Sequence, residues 1–308
     1  MKVLNLSRRL KVKEYQQVFD PAHMPDIVIA DKTTPKDYLN TISQHFITAF
    51  VGKTDIPTID YGFSSERELR EFLEEYSSKS IRRRLKDLYN SVYELKDDEI
   101  IPYVIYFGYS SYVYERIKTV LLHPLRPWIV IYGPVGSGKL ALVKSILGDK
   151  YIDIFHISEK HKIGFRVEDK PEEIDDVVIN TSLLEGESEI KEIMDFLYSR
   201  GYQATFIVES KEIPQILRTI PSFYIPALIE RPVKERLLIL EHLLRNLSKI
   251  VEKDVEVDED FISLYFSYNW PRNFSELENA LRFALSINDE VLKAENLPEH
   301  IKEFSGIE

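Results

Sequence analysis

The stretch Tyr132–Ile146, YGPVGSGKLALVKSI, decides how the chain is read. It spaces Gly133, Gly138 and Lys139 as G-x-x-x-x-G-K, with Pro134, Val135, Gly136 and Ser137 between them. The apolar run RPWIVIY precedes it and the amphipathic run KLALVKSIL follows, which is the strand–loop–helix context that such a loop needs. Glycines there let backbone N–H groups turn inward around phosphate. The helix that follows aims the positive end of its dipole at the same anion. Lys139 adds a point charge for the outer phosphates. The next position, where a hydroxyl normally holds Mg²⁺, is Leu140. The loop points to ATP or ADP and leaves Mg²⁺ open, because a metal can also be held through phosphates, water and a second acid. A glycine turn without a ligand is the alternative that the residues leave standing.

Beyond the loop, KYIDIFHIS, DDVVINT and YQATFIVES read as buried strands, and from Glu230 the apolar period becomes helical through VKERLLILEHLLRNLSKI, DEDFISLYFSY and SELENALRFALSI. Before it, the strand-like runs KVLNL, PDIVIAD, HFITAFVG and IPTIDYG alternate with the helical runs PKDYLNTISQ and SERELREFLEEYSS, as in a small parallel α/β unit. In between, Ile81, Leu85, Leu88, Val92 and Leu95 recur at spacings of three and four, which predicts one amphipathic helix from Ser77 to Leu95. The expected fold is α/β: a small α/β domain over residues 1–76, a linker helix over 77–99, a P-loop α/β subdomain over 100–228 and a helical lid over 229–308.

Composition narrows the classes. The chain has 308 residues, room for two domains at about 150 each. It has no Cys, so disulfides, thiolate zinc sites and cysteine nucleophiles are excluded. A formal charge of −11 opposes coating of DNA through the overall field. The dense basic run SIRRRLK, Ser80 to Lys86, reads as a solvated helix face. No apolar run nears the ~20 residues of a membrane helix, and the N-terminal residues lack the apolar core of a signal peptide. A cytoplasmic protein with no membrane partner is expected. The stretch His156–His161 reads as a surface loop, and Trp128 and Trp270 read as core.

The catalytic acids are harder to find. A general base or metal ligand belongs just after a strand, at the carboxyl edge of the sheet. After VVIN stand Asn180 and Thr181, while Asp175 and Asp176 precede the strand, at its wrong end. Asn180 can orient a water or touch a hydrated metal, but it is not a base.

The segment FGYSSYVYERIKTVL (107–121), the loop itself, IPALIERPVKERLLILEHLL (225–244), NWPRNFSELENALRFAL (269–285) and KAENLPEHI (293–301) together resemble the NtrC-type AAA+ domain of sigma-54-dependent transcription activators, over roughly Ile100–Ile301. That family also lacks Ser or Thr after the lysine. The resemblance implies an AAA+ nucleotide site, with Phe107 and Gly108 near the adenine and Arg272 close to the place of the lid arginine, whose own position is Ser275. It puts the metal and water-activating acids at Asn180 and Thr181, and a strand-end sensor near Glu209 and Ser210. The arginine fingers fall near Lys211 and Leu217, where only Arg218, one place off, offers a guanidinium. The GAFTGA loop that touches the sigma factor has no counterpart, and the helix-turn-helix would begin where Glu308 stands, so sequence-specific DNA binding is not expected.

PDIVIADKTTP (25–35) is similar to the phospho-acceptor strand of that family's receiver domain, which puts Asp31 at the acceptor position. NLSRR stands where the receiver's acidic pair belongs, and a single carboxylate binds Mg²⁺ poorly. An unrelated small α/β domain is the other reading. Together the losses imply a degenerate NtrC-like response regulator. It would bind ATP or ADP with little or no hydrolysis and act in transcription or signalling through protein contacts, by self-association or with another AAA+ regulator. An active ring-forming AAA+ ATPase using Arg218 and a nucleotide-free scaffold are the alternatives.

Overall fold

Runs of β-branched and apolar residues, IVIAD, TAFV, IVIY and QATFIV, become strands buried along nearly their whole length. Continuous apolar strands of this kind suit parallel sheets covered on both faces. A computed structural model of the chain describes residues 1–12, 14–20, 24–92, 109–147, 151–154, 176–288 and 290–305. It divides into two units, one of Met1–Ser110, Arg231–Tyr268 and Ala280–Glu308, the other of Ser111–Glu230 and Asn269–Asn279.

The first unit holds a parallel sheet of β1 (Lys2–Asn5), β2 (Gln16–Val18), β3 (Ile27–Asp31), β4 (Thr48–Val51) and β5 (Tyr61–Phe63). The order β2-β1-β3-β4-β5 is the flavodoxin-like doubly wound order. The edge strand β2 carries no apolar alternation and is invisible in the sequence, and of IPTIDYG only the last two residues enter β5. Helix α1 (Lys36–His45) joins β3 to β4 and buries Leu39 and Ile42. Helix α2 (Glu66–Ser78) follows β5 and buries Leu69, Leu73 and Tyr76.

The single helix expected from Ser77 to Leu95 is two. Lys79 is extended, at φ −74° and ψ 145°, and ends α2. Ser80 then accepts the Arg83 N–H on its hydroxyl, starting α3 (Ile81–Val92). Residues 93–99 lie outside the described residues. The basic run on α3 is not a solvated face either. Arg82 is 1% exposed and its guanidinium Nη1 donates to Glu241 Oε2 at 2.5 Å. Arg84 lies mostly buried over the Tyr76 ring and faces Asp26, and Arg83 alone is exposed.

Glu241 belongs to α7 (Val233–Val251), whose apolar positions are shared with the first sheet's cores. Leu238 joins the cluster of Val3, Ile27, Ile29, Leu69 and Leu88, while Val233 packs on the cluster of Leu4, Val28, Leu39 and Phe50. One turn of α7 also buries Lys234, whose ammonium pairs with Asp60 at 2.7 Å and donates to the carbonyls of Ser43 and Thr58. A buried charge needs such a partner and filled donors. The same unit holds α8 (Glu259–Ser267), α10 (Glu299–Ser305) and the two-stranded pairing of β11 (Glu256–Val257) with β12 (Val291–Leu292).

The second unit holds a parallel sheet of β6 (Ile129–Tyr132), β7 (Tyr151–Ile154), β8 (Asp176–Asn180), β9 (Gln203–Val208) and β10 (Ser222–Tyr224), in the order β10-β6-β9-β8-β7. Helices α4 (Tyr109–Leu121), α5 (Lys139–Leu147) and α6 (Glu187–Ser199) accompany it, and the first residues of α9 (Asn273–Ile287) belong to it. One core joins Val130, Val177, Ile179, Ile193, Leu197 and Phe206. Trp270 is fully buried, as expected, and Trp128 is part-buried with its indole N–H on the Tyr202 carbonyl.

Candidate functional site

The glycine loop leaves the carboxyl end of β6 and enters α5 at Lys139, as its spacing predicts. Gly133, Gly136 and Gly138 take φ of 151°, 71° and 90°, a region that L side chains rarely adopt. Two of these positions are also crowded. A Cβ on Gly133 would lie 2.1 Å from the Ile225 carbonyl oxygen, and one on Gly136 would lie 2.1 Å from that of Arg272.

Lys139 is only 3% exposed. Its ammonium donates to the carbonyls of Gly133 at 3.0 Å and Pro134 at 2.6 Å, and to the Ser137 hydroxyl at 3.3 Å. All three acceptors are neutral. Burial pushes its pKa down to about 8, against the opposing pull of the negative charge of Glu209. Among the described residues the ammonium makes no ion pair with a carboxylate, so this cation is left electrostatically unanswered at close range.

The loop is held from outside by the turn that begins α9. Asn273 is buried at a left-handed φ of 52°. Its Nδ2 donates to the Val135 carbonyl at 2.7 Å, and its Oδ1 accepts the Leu228 N–H at 2.7 Å. The N–H of Phe274 reaches the Gly136 carbonyl at 3.1 Å. Asn is among the few non-glycine residues that accept this backbone conformation readily, so WPRNF carried a signal for the clamp, but no spacing in the sequence says what an Asn amide there would bind. Arg272 is exposed, its N–H held by Glu276, and its carbonyl faces the loop. Ser275, at the lid-arginine position, is exposed beside Gly136.

Along the sheet edge, Asn180 pairs in register with Ile207. Its Oδ1 accepts both the N–H and the hydroxyl of Ser182, and the Thr181 hydroxyl donates to the Ile207 carbonyl at 3.1 Å. The Asn180 side chain is thus engaged in a local turn, and the Thr181 hydroxyl in a cross-strand bond to β9. Glu209 follows Val208, the residue opposite Tyr132, and the Val208 carbonyl accepts the Gly133 N–H at 3.2 Å. This acid sits one strand nearer the loop than Asn180, where the resemblance puts an acid. Arg218 is exposed and its Nε donates to the Ile213 carbonyl. Lys211 pairs with Glu230. Phe107, Gly108 and the His156–His161 stretch lie outside the described residues. Among the described residues, no group of three or more His, Asp or Glu is arranged to hold a metal ion, and no helix is long and apolar enough to cross a membrane.

In the other unit, Asp31 ends β3 and is buried. One carboxylate oxygen accepts the Ser7 hydroxyl at 2.8 Å, and the other accepts the N–H and hydroxyl of Thr33. Burial alone would raise its pKa, but the bonds from Thr33 and Ser7 and the charge of Arg9 together lower it.

Residues 235–307 match the AAA+ ATPase lid domain. No curated protein matches the chain. Among solved structures, NtrX from Brucella abortus in complex with ADP aligns with a TM-score of 0.51 at 14% identity, over 92% of this chain and 80% of its own. A second structure of the same protein gives 0.50 at 13% identity, over 91% and 77%. Its complex with ATP gives 0.48 at 14% identity, over 94% and 82%. At these identities the likeness is one of fold: an α/β chain of parallel sheets carrying a helical AAA+ lid.

Proposed function

We propose that this chain is an AAA+ regulator that binds ATP or ADP at Gly133–Leu140, hydrolyses it little or not at all, and acts through contacts with other proteins. The observation that carries the reading is the Lys139 ammonium, buried among three neutral oxygens at the mouth of a helix, where an anion stabilises it. Three glycines with positive φ around it fit a phosphate cradle. Backbone N–H groups of the loop and Lys139 would hold the phosphates, which supply the missing negative charge. The ADP-bound NtrX fold supports the same reading.

Slow or absent hydrolysis follows from the residues at the sheet edge. Phosphoryl transfer needs a fixed metal and an oriented water. Leu140 offers no metal ligand, the Asn180 carbonyl oxygen already accepts two bonds from Ser182, and the Thr181 hydroxyl gives its proton to the Ile207 carbonyl. The flavodoxin-like strand order supports a reduced receiver for the first sheet. Because Ser7 and Thr33 occupy both oxygens of Asp31, we read that residue as a structural anchor rather than a phosphate acceptor. Signalling would then run by protein contact, with self-association or a second AAA+ regulator as the partner, in the cytoplasm and without sequence-specific DNA binding.

The test is calorimetric titration with ATP and ADP, with turnover measured in the same samples. Lys139→Ala is expected to cost ~2–4 kcal/mol of affinity, the usual loss when one side of a buried charge contact is removed. Unchanged affinity would mean a vestigial loop and favour the scaffold. Robust wild-type turnover abolished by Lys139→Ala would favour the ring ATPase.

A further inference from the structure

We infer that Glu209 makes the phosphate loop selective for a nucleoside diphosphate over the corresponding triphosphate. The inference rests on the nucleotide-binding reading above and names the ligand class of that same site.

The first ground is position. Strand β9 lies between β6 and β8, and its last residue, Val208, is opposite Tyr132, the last residue before the loop. The Gly133 N–H is bonded to the Val208 carbonyl, so the Glu209 backbone starts one peptide unit from the loop's first residue. Its charge acts on Lys139. In a loop of this kind the lysine meets the outermost phosphates. A carboxylate whose charge reaches that lysine therefore repels the terminal group of a triphosphate more than it repels a diphosphate seated deeper on the helix N-terminus.

The second ground is how little the side chains beside the loop offer to hold a metal between the two anions. Mg²⁺ between Glu209 and a γ-phosphate would turn repulsion into attraction. Leu140 has no oxygen at the position where a hydroxyl commonly holds Mg²⁺, and the Asn180 carbonyl oxygen already accepts two bonds from Ser182. No acidic or histidine cluster of three among the described residues compensates. The third ground is the fixed charge against the loop: the resemblance puts the lid arginine at Ser275, which lies beside Gly136 and carries no charge.

The experiment is calorimetric titration of the full chain with ADP and with ATP, in EDTA and again with Mg²⁺. Wild type, Glu209→Gln and Glu212→Gln are compared. The last removes an exposed charge three residues further on and controls for net charge. Without metal, wild type is expected to bind ADP about tenfold more tightly than ATP, one decade being a modest yield from one extra like-charge contact. Glu209→Gln should recover most of that decade for ATP and leave ADP nearly unchanged, and Glu212→Gln should behave as wild type. Should Glu209→Gln fail to fold, added salt must narrow the wild-type ADP-to-ATP ratio, because the discrimination is Coulombic. An unchanged ratio in Glu209→Gln, or a salt-independent one, overturns the inference and leaves nucleotide binding intact. So does weaker ATP binding by Glu209→Gln in Mg²⁺, which would make the residue a metal ligand. Binding of neither nucleotide by wild type overturns the nucleotide reading itself, and the inference with it.

Discussion

Replacing Asn273 by alanine removes the clamp on the phosphate loop, and its cost can be worked from three features. The Val135 carbonyl loses its donor at 2.7 Å and the Leu228 N–H loses its acceptor at 2.7 Å. A buried group left unsatisfied costs about 1–3 kcal/mol, and the second of these lies fully inside the protein. Alanine must also hold a φ of 52°, which costs about 1 kcal/mol more than in a residue suited to that region. The expected total for Asn273→Ala is about 3–7 kcal/mol, nearer the lower end if water reaches the Val135 carbonyl. Asn273→Gly loses the same two bonds and relieves the backbone, so it should recover about 1 kcal/mol of that loss. Asn273→Asp keeps the acceptor for Leu228 and lacks the donor for Val135, and should fall between wild type and alanine. The assay is urea unfolding followed by tryptophan fluorescence, since Trp128 and Trp270 are the only tryptophans and both belong to the loop's own unit. A midpoint for Asn273→Ala equivalent to less than about 0.5 kcal/mol of change would refute the clamp, that being the ordinary range for substitutions at an uninvolved surface site.

Two further outcomes test the loop and the buried cores. Gly136→Ala should abolish nucleotide binding, because its Cβ meets the Arg272 carbonyl at 2.1 Å, whereas Gly201→Ala, at a similar φ with nothing within 4 Å, should cost only about 1 kcal/mol of stability and leave binding alone. His242 is buried between the Tyr89 hydroxyl and the Asn246 amide, and burial, with the charges of Arg245 and Lys249, holds its pKa at about 4 rather than 6.5. Between those pH values the unfolded chain takes up a proton that the folded chain refuses, so this residue withdraws about 3 kcal/mol of stability as pH falls. His242→Gln should flatten the fall of the urea midpoint between pH 6.5 and 4, and an unchanged slope would show that the imidazole is protonated in the fold.

The features legible in the sequence are those set by neighbours along the chain. G-x-x-x-x-G-K between an apolar run and an amphipathic one specifies a strand, a phosphate loop and a helix, because the glycine torsions and the helix start are local matters. The helical period from Val233 to Ile287 likewise marked α7, α8 and α9, and the apolar runs marked β3, β4, β6 and β9. Three-residue edge strands such as β2 and β10 were invisible, since an edge strand draws its pairing from a partner and needs no apolar pattern of its own. Tertiary structure alone decided the charges. SIRRRLK has the composition of a solvated face, yet Arg82 is buried because Glu241, 159 residues away, meets it on α7. Lys234 looks like a surface lysine in a helical repeat until Asp60, Ser43 and Thr58 surround it. Asn180 and Glu209 differ by one strand in the sheet, and only the order β6-β9-β8 places the acid beside the loop and the amide one strand away. The cause is the same in each case. Local propensity depends on a few adjacent torsions, whereas the state of a charge depends on which distant groups displace its water, and that is known only after the chain has packed.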